Sequence, residues 1–177
     1  TLCLPNPKPM QIAITDACIF IDIYELQLNA SFFELEIIVH TSIDVFNELY
    51  PEQQKVLKIY QASGKLFLHT ISAEDRSIIF KEKYPKSLSQ TDKTVLHLAV
   101  KLNAMILSSD ASVRNYAKKN SIEYHGMLWV LDQLVDQKLL SGQEATKRLD
   151  KLIKTNIVYQ NNIHLVEEMG KRKKKWS

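Results

Sequence analysis

The sequence predicts an α/β fold: a parallel sheet covered on both faces by helices, followed by a helical C-terminal part. Two observations carry this reading. Between Ile12 and Tyr124 short apolar runs, some of them β-branched, alternate with stretches of helical periodicity. Past Gly126 apolar residues recur only at helical spacing. A length of 177 residues suits one domain with a sizeable core. The expected division is a single domain over 10–170, with its core at 10–135 and a helical part at 127–170. It is flanked by a flexible leader at 1–9 and a basic tail at 171–177.

Ile12 to Thr15 predicts the first strand, with Asp16 immediately after it, and Ala17 to Ile23 turns into a first helix. Leu26 to Glu36 mixes polar and apolar residues and reads as helix-rich. Ile37, Ile38 and Val39 form a β-branched strand. Thr41 or Ser42 caps the next helix, whose buried stripe is Val45, Phe46 and Leu49, with Glu48 beside it. Pro51 opens another helix that stops before Gly64. Leu66 to Leu68 is a third strand, and Ala73 to Lys83 a helix ended by Tyr84-Pro85.

The most informative stretch runs from Ser89 to Asp110. Ser89 and Asp92 have the spacing of a hydroxyl cap answered by an acid in the first turn. Val95, Leu98, Ala99 and Leu102 follow as one apolar stripe, and Asn103 suits the left-handed position that ends a helix. Met105 to Leu107 reads as a strand buried on both faces, and Asp110 follows it. Ala111 to Lys119 is a helix, Ile122 to Tyr124 a last short strand. Ser141 with Glu144 starts a helix beyond it, and 156–170 one more.

Hydrophobic residues make up 45% of the chain and no apolar run approaches membrane-spanning length, so no membrane association is expected. Cys3 and Cys18 are too few for a disulfide framework, which places the protein in a reducing cytoplasm. The five histidines are scattered without zinc-binding spacing. Lys171 to Lys175 carry five of the positive charges, so the formal +3 becomes −2 for the rest of the chain. The body is therefore no bulk polyanion binder; a polyanion site must be local or use metal ions as its charge.

Four acids stand out by position: Asp16 after the first strand, Glu48 after the second, Asp92 at a helix start and Asp110 after the fourth strand. Right-handed α/β connections bring all four to the carboxyl edge of the sheet, where such sheets bind ligands. Carboxylates gathered there repel one another unless a cation joins them, and hard oxygen donors favour Mg²⁺ or Mn²⁺. Those ions activate water and stabilise charge at a phosphodiester, which points to metal-dependent phosphodiester hydrolysis.

Asp16 in ITDACIFID, Glu48 in SIDVFNELY, Asp92 in LSQTDKTVLHLA and Asp110 in ILSSDASVRNYA resemble, in order and spacing, the acidic quartet of PIN domains. That family is best known as the ribonuclease of VapC-type toxin–antitoxin pairs. The resemblance covers about residues 10–135 and implies a three-layer α/β/α sandwich. It implies Mg²⁺ or Mn²⁺ held by Asp16, Asp92 and Asp110, with Glu48 a ligand directly or through water. Ser108 matches the small hydroxyl residue two positions before the last acid. An RNA substrate, a small antitoxin that occludes the site and homodimers are also implied. The sequence departs from the family at Cys18, where Asn or Ser is common, and at Ala111 and Ser112, where many members carry another acid. One metal ion is accordingly implied more strongly than two.

Simpler roles compete for each acid alone: Asp92 as a capping-box acid, Asp110 as a helix start, Glu48 as an ordinary helical glutamate. Asp16, just past a buried strand, needs a partner, and the joint pattern favours a site. Asp22, Asp44 and Asp75 read as solvated or capping, Cys18 as a small buried residue, and His97 as structural. Arg114, one turn after Asp110, is expected to pair with the acids when metal is absent, ahead of a role on a substrate phosphate. Lys93, Lys118 and Lys119 read as a solvated face, and the basic tail as a disordered end or a nucleic-acid contact. The leading expectation is a single-strand-preferring endoribonuclease; the alternative, motivated by the departures, is a non-catalytic interaction module. A phosphoacceptor receiver domain is set aside, because TDA at 15–17 lacks its acid pair and EYHG at 123–126 its lysine.

Overall fold

In the computed structural model of the protein, residues 9–177 are described. The expected leader therefore lies, Pro9 apart, outside the described residues, as does Cys3.

Five strands form one sheet: β1 Gln11–Thr15, β2 Ile37–Ser42, β3 Leu66–His69, β4 Met105–Leu107 and β5 Tyr124–His125. Their order is β3-β2-β1-β4-β5 and every pairing is parallel. Ala13, Ile14, Val39, Met105, Ile106 and Leu107 are buried, as expected of central strands with both faces covered. The chain thus lays β2 and β3 to one side of β1, then returns to place β4 on the other. That reversal makes a topological switch point between the carboxyl ends of β1 and β4.

The flanking helices are α1 Ala17–Glu25, α2 Asn29–Phe32, α3 Ile43–Glu48, α4 Pro51–Ala62, α5 Ala73–Lys81, α6 Gln90–Leu102 and α7 Ala111–Lys119. The α/β/α architecture is the expected one. Ser42 caps α3 by accepting from the Val45 N–H at 3.1 Å, and Pro51 opens α4. Helix α6 packs against β1, β2 and β4. Its capping box is present in both directions: the Asp92 N–H donates to Ser89 Oγ at 3.0 Å and the Ser89 N–H to Asp92 Oδ2 at 2.7 Å. Asn103 ends it at φ +47°, so β4 can start two residues later.

Beyond the sheet come α8 Met127–Asp136, α9 Gly142–Thr155, a 3-10 turn at Ile157–Tyr159 and α10 Ile163–Trp176. Several expectations need correction. Leu26–Glu36 holds only the single-turn α2; Phe32, Phe33 and Leu35 are buried there through an irregular turn. The last strand falls one to two residues later than expected, at Tyr124–His125. The residues read as a basic tail continue α10. Arg172 pairs with Asp132 of α8, Lys173 with Asp150 of α9 and Lys175 with Asp136 at 3.7 Å, while Trp176 is buried and donates Nε1–H to Asp132. Among the described residues no helix is long and apolar enough to cross a membrane.

Candidate active site

Asp16 occupies the switch point. Its N–H donates to the Leu107 carbonyl at 2.9 Å, extending the β1–β4 pairing past the end of the strand and locking the residue in place. As N-cap of α1 its Oδ1 accepts from the Ala17 N–H at 2.7 Å. Oδ2 accepts from Ser108 Oγ at 2.7 Å. The residue is only 5% exposed. Burial pushes its carboxyl up to about 6, and the charge of Asp92 adds to this, while the Ser108, Ala17 and Cys18 donors pull it down.

Ser108, fully buried, joins two of the acids: besides donating to Asp16, its oxygen accepts from the Asp110 N–H at 3.1 Å. Asp110 caps α7, with Oδ1 accepting from the Val113 N–H at 3.0 Å. Asp92 uses Oδ2 in the capping box of α6, a helix that runs back along the sheet from the same edge. The remaining oxygens of Asp92 and Asp110 accept no hydrogen bond among the described residues. The local roles weighed for these acids are therefore real, and they coexist with convergence on one edge. A helix that starts at the carboxyl end of a strand needs an acceptor cap there, so capping itself places Asp16 and Asp110, while Asp92 enters from the first turn of α6 behind its Ser89 cap.

Hydroxyl groups beneath the acids complete the edge. Thr41 Oγ1 donates to the Thr15 carbonyl at 2.7 Å, and Ser42 Oγ lies 2.8 Å from Thr94 Oγ1 on α6. The Thr15 hydroxyl is buried and without a partner among the described residues. These contacts were missed in the sequence, although hydroxyl residues closing apolar strands at Thr15, Thr41 and Ser42 are a usable signal. Cys18 stands where the PIN resemblance leads one to expect Asn or Ser. Its Sγ is 3.6 Å from Asp16 Oδ2 and 3.7 Å from Ser108 Oγ, and it accepts from the Ser109 N–H at 3.2 Å. Burial and the neighbouring Asp16 push the thiol up to about 12, so it is a weak hydrogen-bonding spacer and no nucleophile.

Two expected members are placed differently. Glu48 lies exposed at the end of α3 and makes no hydrogen bond or ion pair among the described residues. Arg114 pairs with none of the acids, correcting the expectation: its Nη1 donates to the Ser108 carbonyl at 3.1 Å and its guanidinium lies 4.9 Å from the centre of the Tyr124 ring. The reason is local. Gly126 leaves the space, since a Cβ there would come within 2.9 Å of Arg114 Nη1.

Asp22 and Asp75 are buried, against the expectation of solvated or capping roles. Asp22 on α1 is raised to about 6, first by burial, and its one described hydrogen bond comes from Asn156 Nδ2 at 3.3 Å. Asp75 is held well below the usual carboxylate range by hydrogen bonds from Lys101 and His97 of α6.

Among the described residues no three His, Cys, Asp or Glu side chains stand close enough together to hold a metal ion. The donor set nevertheless fits Mg²⁺ or Mn²⁺ in kind. Asp16, Asp92 and Asp110 offer hard oxygen donors, two of them with an oxygen free, and the buried Asp16 ionises at a cost that a cation would offset.

A parallel sheet with acids at its switch point, helices capped by those acids and helices on its flanks is the architecture of a PIN domain. The chain belongs to the DUF3368 family of PIN domains, whose model matches residues 12–169. None of the curated proteins matches it. Among the solved structures that resemble it are the following two. A PilT N-terminus domain protein, SSO1118, from the hyperthermophilic archaeon Sulfolobus solfataricus P2 aligns with a TM-score of 0.45 at 15% identity, over 70% of this chain and 93% of that one. VapBC2 from Rickettsia felis, in a structure bound to a DNA fragment from their promoter, aligns with a TM-score of 0.41 at 13% identity, over 65% and 98%.

Proposed function

We propose that the protein is a Mg²⁺- or Mn²⁺-dependent endoribonuclease that hydrolyses single-stranded RNA at the carboxyl edge of β1 and β4. The observation that carries this is Asp16: a buried carboxyl at the switch point, raised by burial and by the charge of Asp92, with Ser108 bridging it to Asp110. Asp16, Asp92 and Asp110 would hold the metal. Bound there, the ion supplies Lewis-acid charge at the phosphodiester and lowers the pKa of water. Ser108 holds the Asp16 carboxylate in one orientation and favours its ionised form. Glu48 is assigned as an outer ligand or water-positioning group, approached from α3.

In the same reading the protein is a toxin with a small antitoxin partner, forms a homodimer and acts in the cytoplasm. The exposed apolar residues Ile157, Val158, Ile163 and Val166 around the start of α10 offer a surface for one of these contacts. The test is cleavage of a mixed-sequence single-stranded RNA by the full chain in Mn²⁺, in EDTA, and with Asp92→Asn/Asp110→Asn. Cleavage only with metal and with both acids is the expected result; cleavage that survives EDTA or the double substitution rejects this mechanism.

The second reading is a non-catalytic PIN-like module. It is favoured by one observation: Asp92 and Asp110 each spend an oxygen on a helix cap, and no three ligands stand ready-grouped among the described residues. A folded protein that neither binds Mn²⁺ nor cleaves RNA would establish it.

A further inference from the structure

A groove of about 570 Å³ opens beside Asp110, between α7, the β5–α8 junction and the C-terminal segment. Ser109 and Ala111, the neighbours of Asp110 on either side, both line it, so it is continuous with the acidic edge. Its size falls within the ~300–1,000 Å³ typical of small-ligand sites. Ser109 Oγ lies 3.2 Å from the Tyr159 hydroxyl, which anchors the C-terminal wall to the β4 loop.

Charge and aromatic surface define what fits. Arg114 and Lys118 stand one turn apart on α7, both line the groove, and neither makes an ion pair among the described residues. Arg114 makes one hydrogen bond there, to the Ser108 carbonyl, which leaves its other N–H groups free. Arg172 on the opposite wall is committed to Asp132 and Glu168, so Glu168 does not neutralise the α7 pair. Trp129, half-buried in the lining, stacks on His125 with ring centres 4.5 Å apart and 15° between planes. Free cations next to an aromatic platform suit a phosphate joined to an unstacked base. A duplex keeps its bases stacked inside and cannot offer one.

We propose that this groove binds one nucleotide of single-stranded RNA next to the scissile phosphate, with its phosphate on Arg114 and Lys118 and its base on the Trp129 side. The proposal rests on the nuclease reading for its position relative to the cut, and on the groove itself for its ligand.

The test is anisotropy of a fluorescein-labelled, mixed-sequence RNA decamer titrated with the full chain in EDTA, so that binding is read without turnover. Arg114→Gln/Lys118→Gln should weaken binding roughly tenfold or more and reduce the salt slope by about 0.7, one phosphate contact's worth. Lys118→Gln alone, on an exposed side chain without an ion pair or side-chain hydrogen bond among the described residues, should show a smaller loss at unchanged Tm and guards against a folding artefact. Trp129→Leu should weaken binding roughly tenfold while Trp129→Phe restores most of it. An RNA duplex should compete poorly. Wild-type binding by all these variants, no binding by the wild type, or displacement of RNA by an acidic peptide but not by unlabelled RNA would overturn the proposal. Metal-dependent cleavage that needs Asp92 and Asp110 but ignores Arg114, Lys118 and Trp129 would leave the nuclease standing and the groove refuted. RNA held by the groove in a protein that never cleaves would do the reverse.

Discussion

Asp16 sits where a carboxylate is least comfortable without a cation. Its folded-state carboxyl is raised to about 6 from 3.8, so over that interval the folded protein binds more protons than the unfolded one. Stability therefore falls as pH rises from about 4 to 6, and above that the metal-free protein carries a penalty on the order of 2–3 kcal/mol. Asp16→Asn should remove most of it: in EDTA at pH 7.5 the variant should melt higher than the wild type, with no gain at pH 4. A lower Tm at pH 7.5 would show that the Ser108 and Ala17 hydrogen bonds outweigh burial. Ser108→Ala takes away the strongest of the groups that lower Asp16, and should move the acid limb of a pH–activity profile upward. An unmoved limb would mean that another group titrates there. At this scale the sequence was legible where position spoke: Asp16, Asp92, Asp110 and Ser108 are where strand ends and helix starts put them. It was not legible where burial depends on distant segments. Asp22 meets Asn156, and Asp75 meets His97 and Lys101, through contacts that no local pattern announces.

The elements with their own punctuation were the ones read closely. Helix α6 begins and ends at its expected residues, because the Ser89–Asp92 box and the left-handed Asn103 are both encoded locally. Leu26–Glu36 has no such signals, and its apolar residues are buried from a turn instead of a long helix. The link from α5 to α6 runs through Asp75. Its carboxyl is depressed by Lys101 first and His97 next, so its stabilisation is present above about 4 and is lost as pH falls through the folded-state value. Lys101 is half exposed, which leaves the buried His97 bond as the more durable part. Asp75→Ala should cost about 1–3 kcal/mol at pH 7 and clearly less near pH 2, where the loss has begun but is not complete. An equal loss at both pH values would assign the effect to packing.

Over the whole molecule, the C-terminal helices are tied into the same body as the sheet. Gly142 lies against the Trp176 carbonyl, where a Cβ would come within 1.9 Å, and the basic residues of α10 reach acids on α8 and α9. A run of five basic residues looks like a solvated end because, Glu168 apart, the acids it meets (Asp132, Asp136 and Asp150) lie more than twenty residues away in sequence. Removing residues 171–177 should therefore destabilise the full chain, by about 3 kcal/mol for the buried Trp176 alone. Lys174→Gln, on an exposed side chain with no ion pair among the described residues, should leave the unfolding free energy within ~0.5 kcal/mol of wild type. A truncated chain that melts like the wild type would show α10 to be independent of the rest.

We propose that the acids at the β1–β4 switch point form one cation site. The most direct test is calorimetric titration of the full chain with Mn²⁺ at pH 7.5, for the wild type, Asp16→Asn and Asp92→Asn/Asp110→Asn, each confirmed folded by its melting curve. The expected result is saturable binding in the wild type, lost or weakened roughly tenfold or more in both variants, with protons released on binding as pH is lowered toward 6. A folded wild type that takes up no Mn²⁺, or variants that bind it as the wild type does, would contradict the claim.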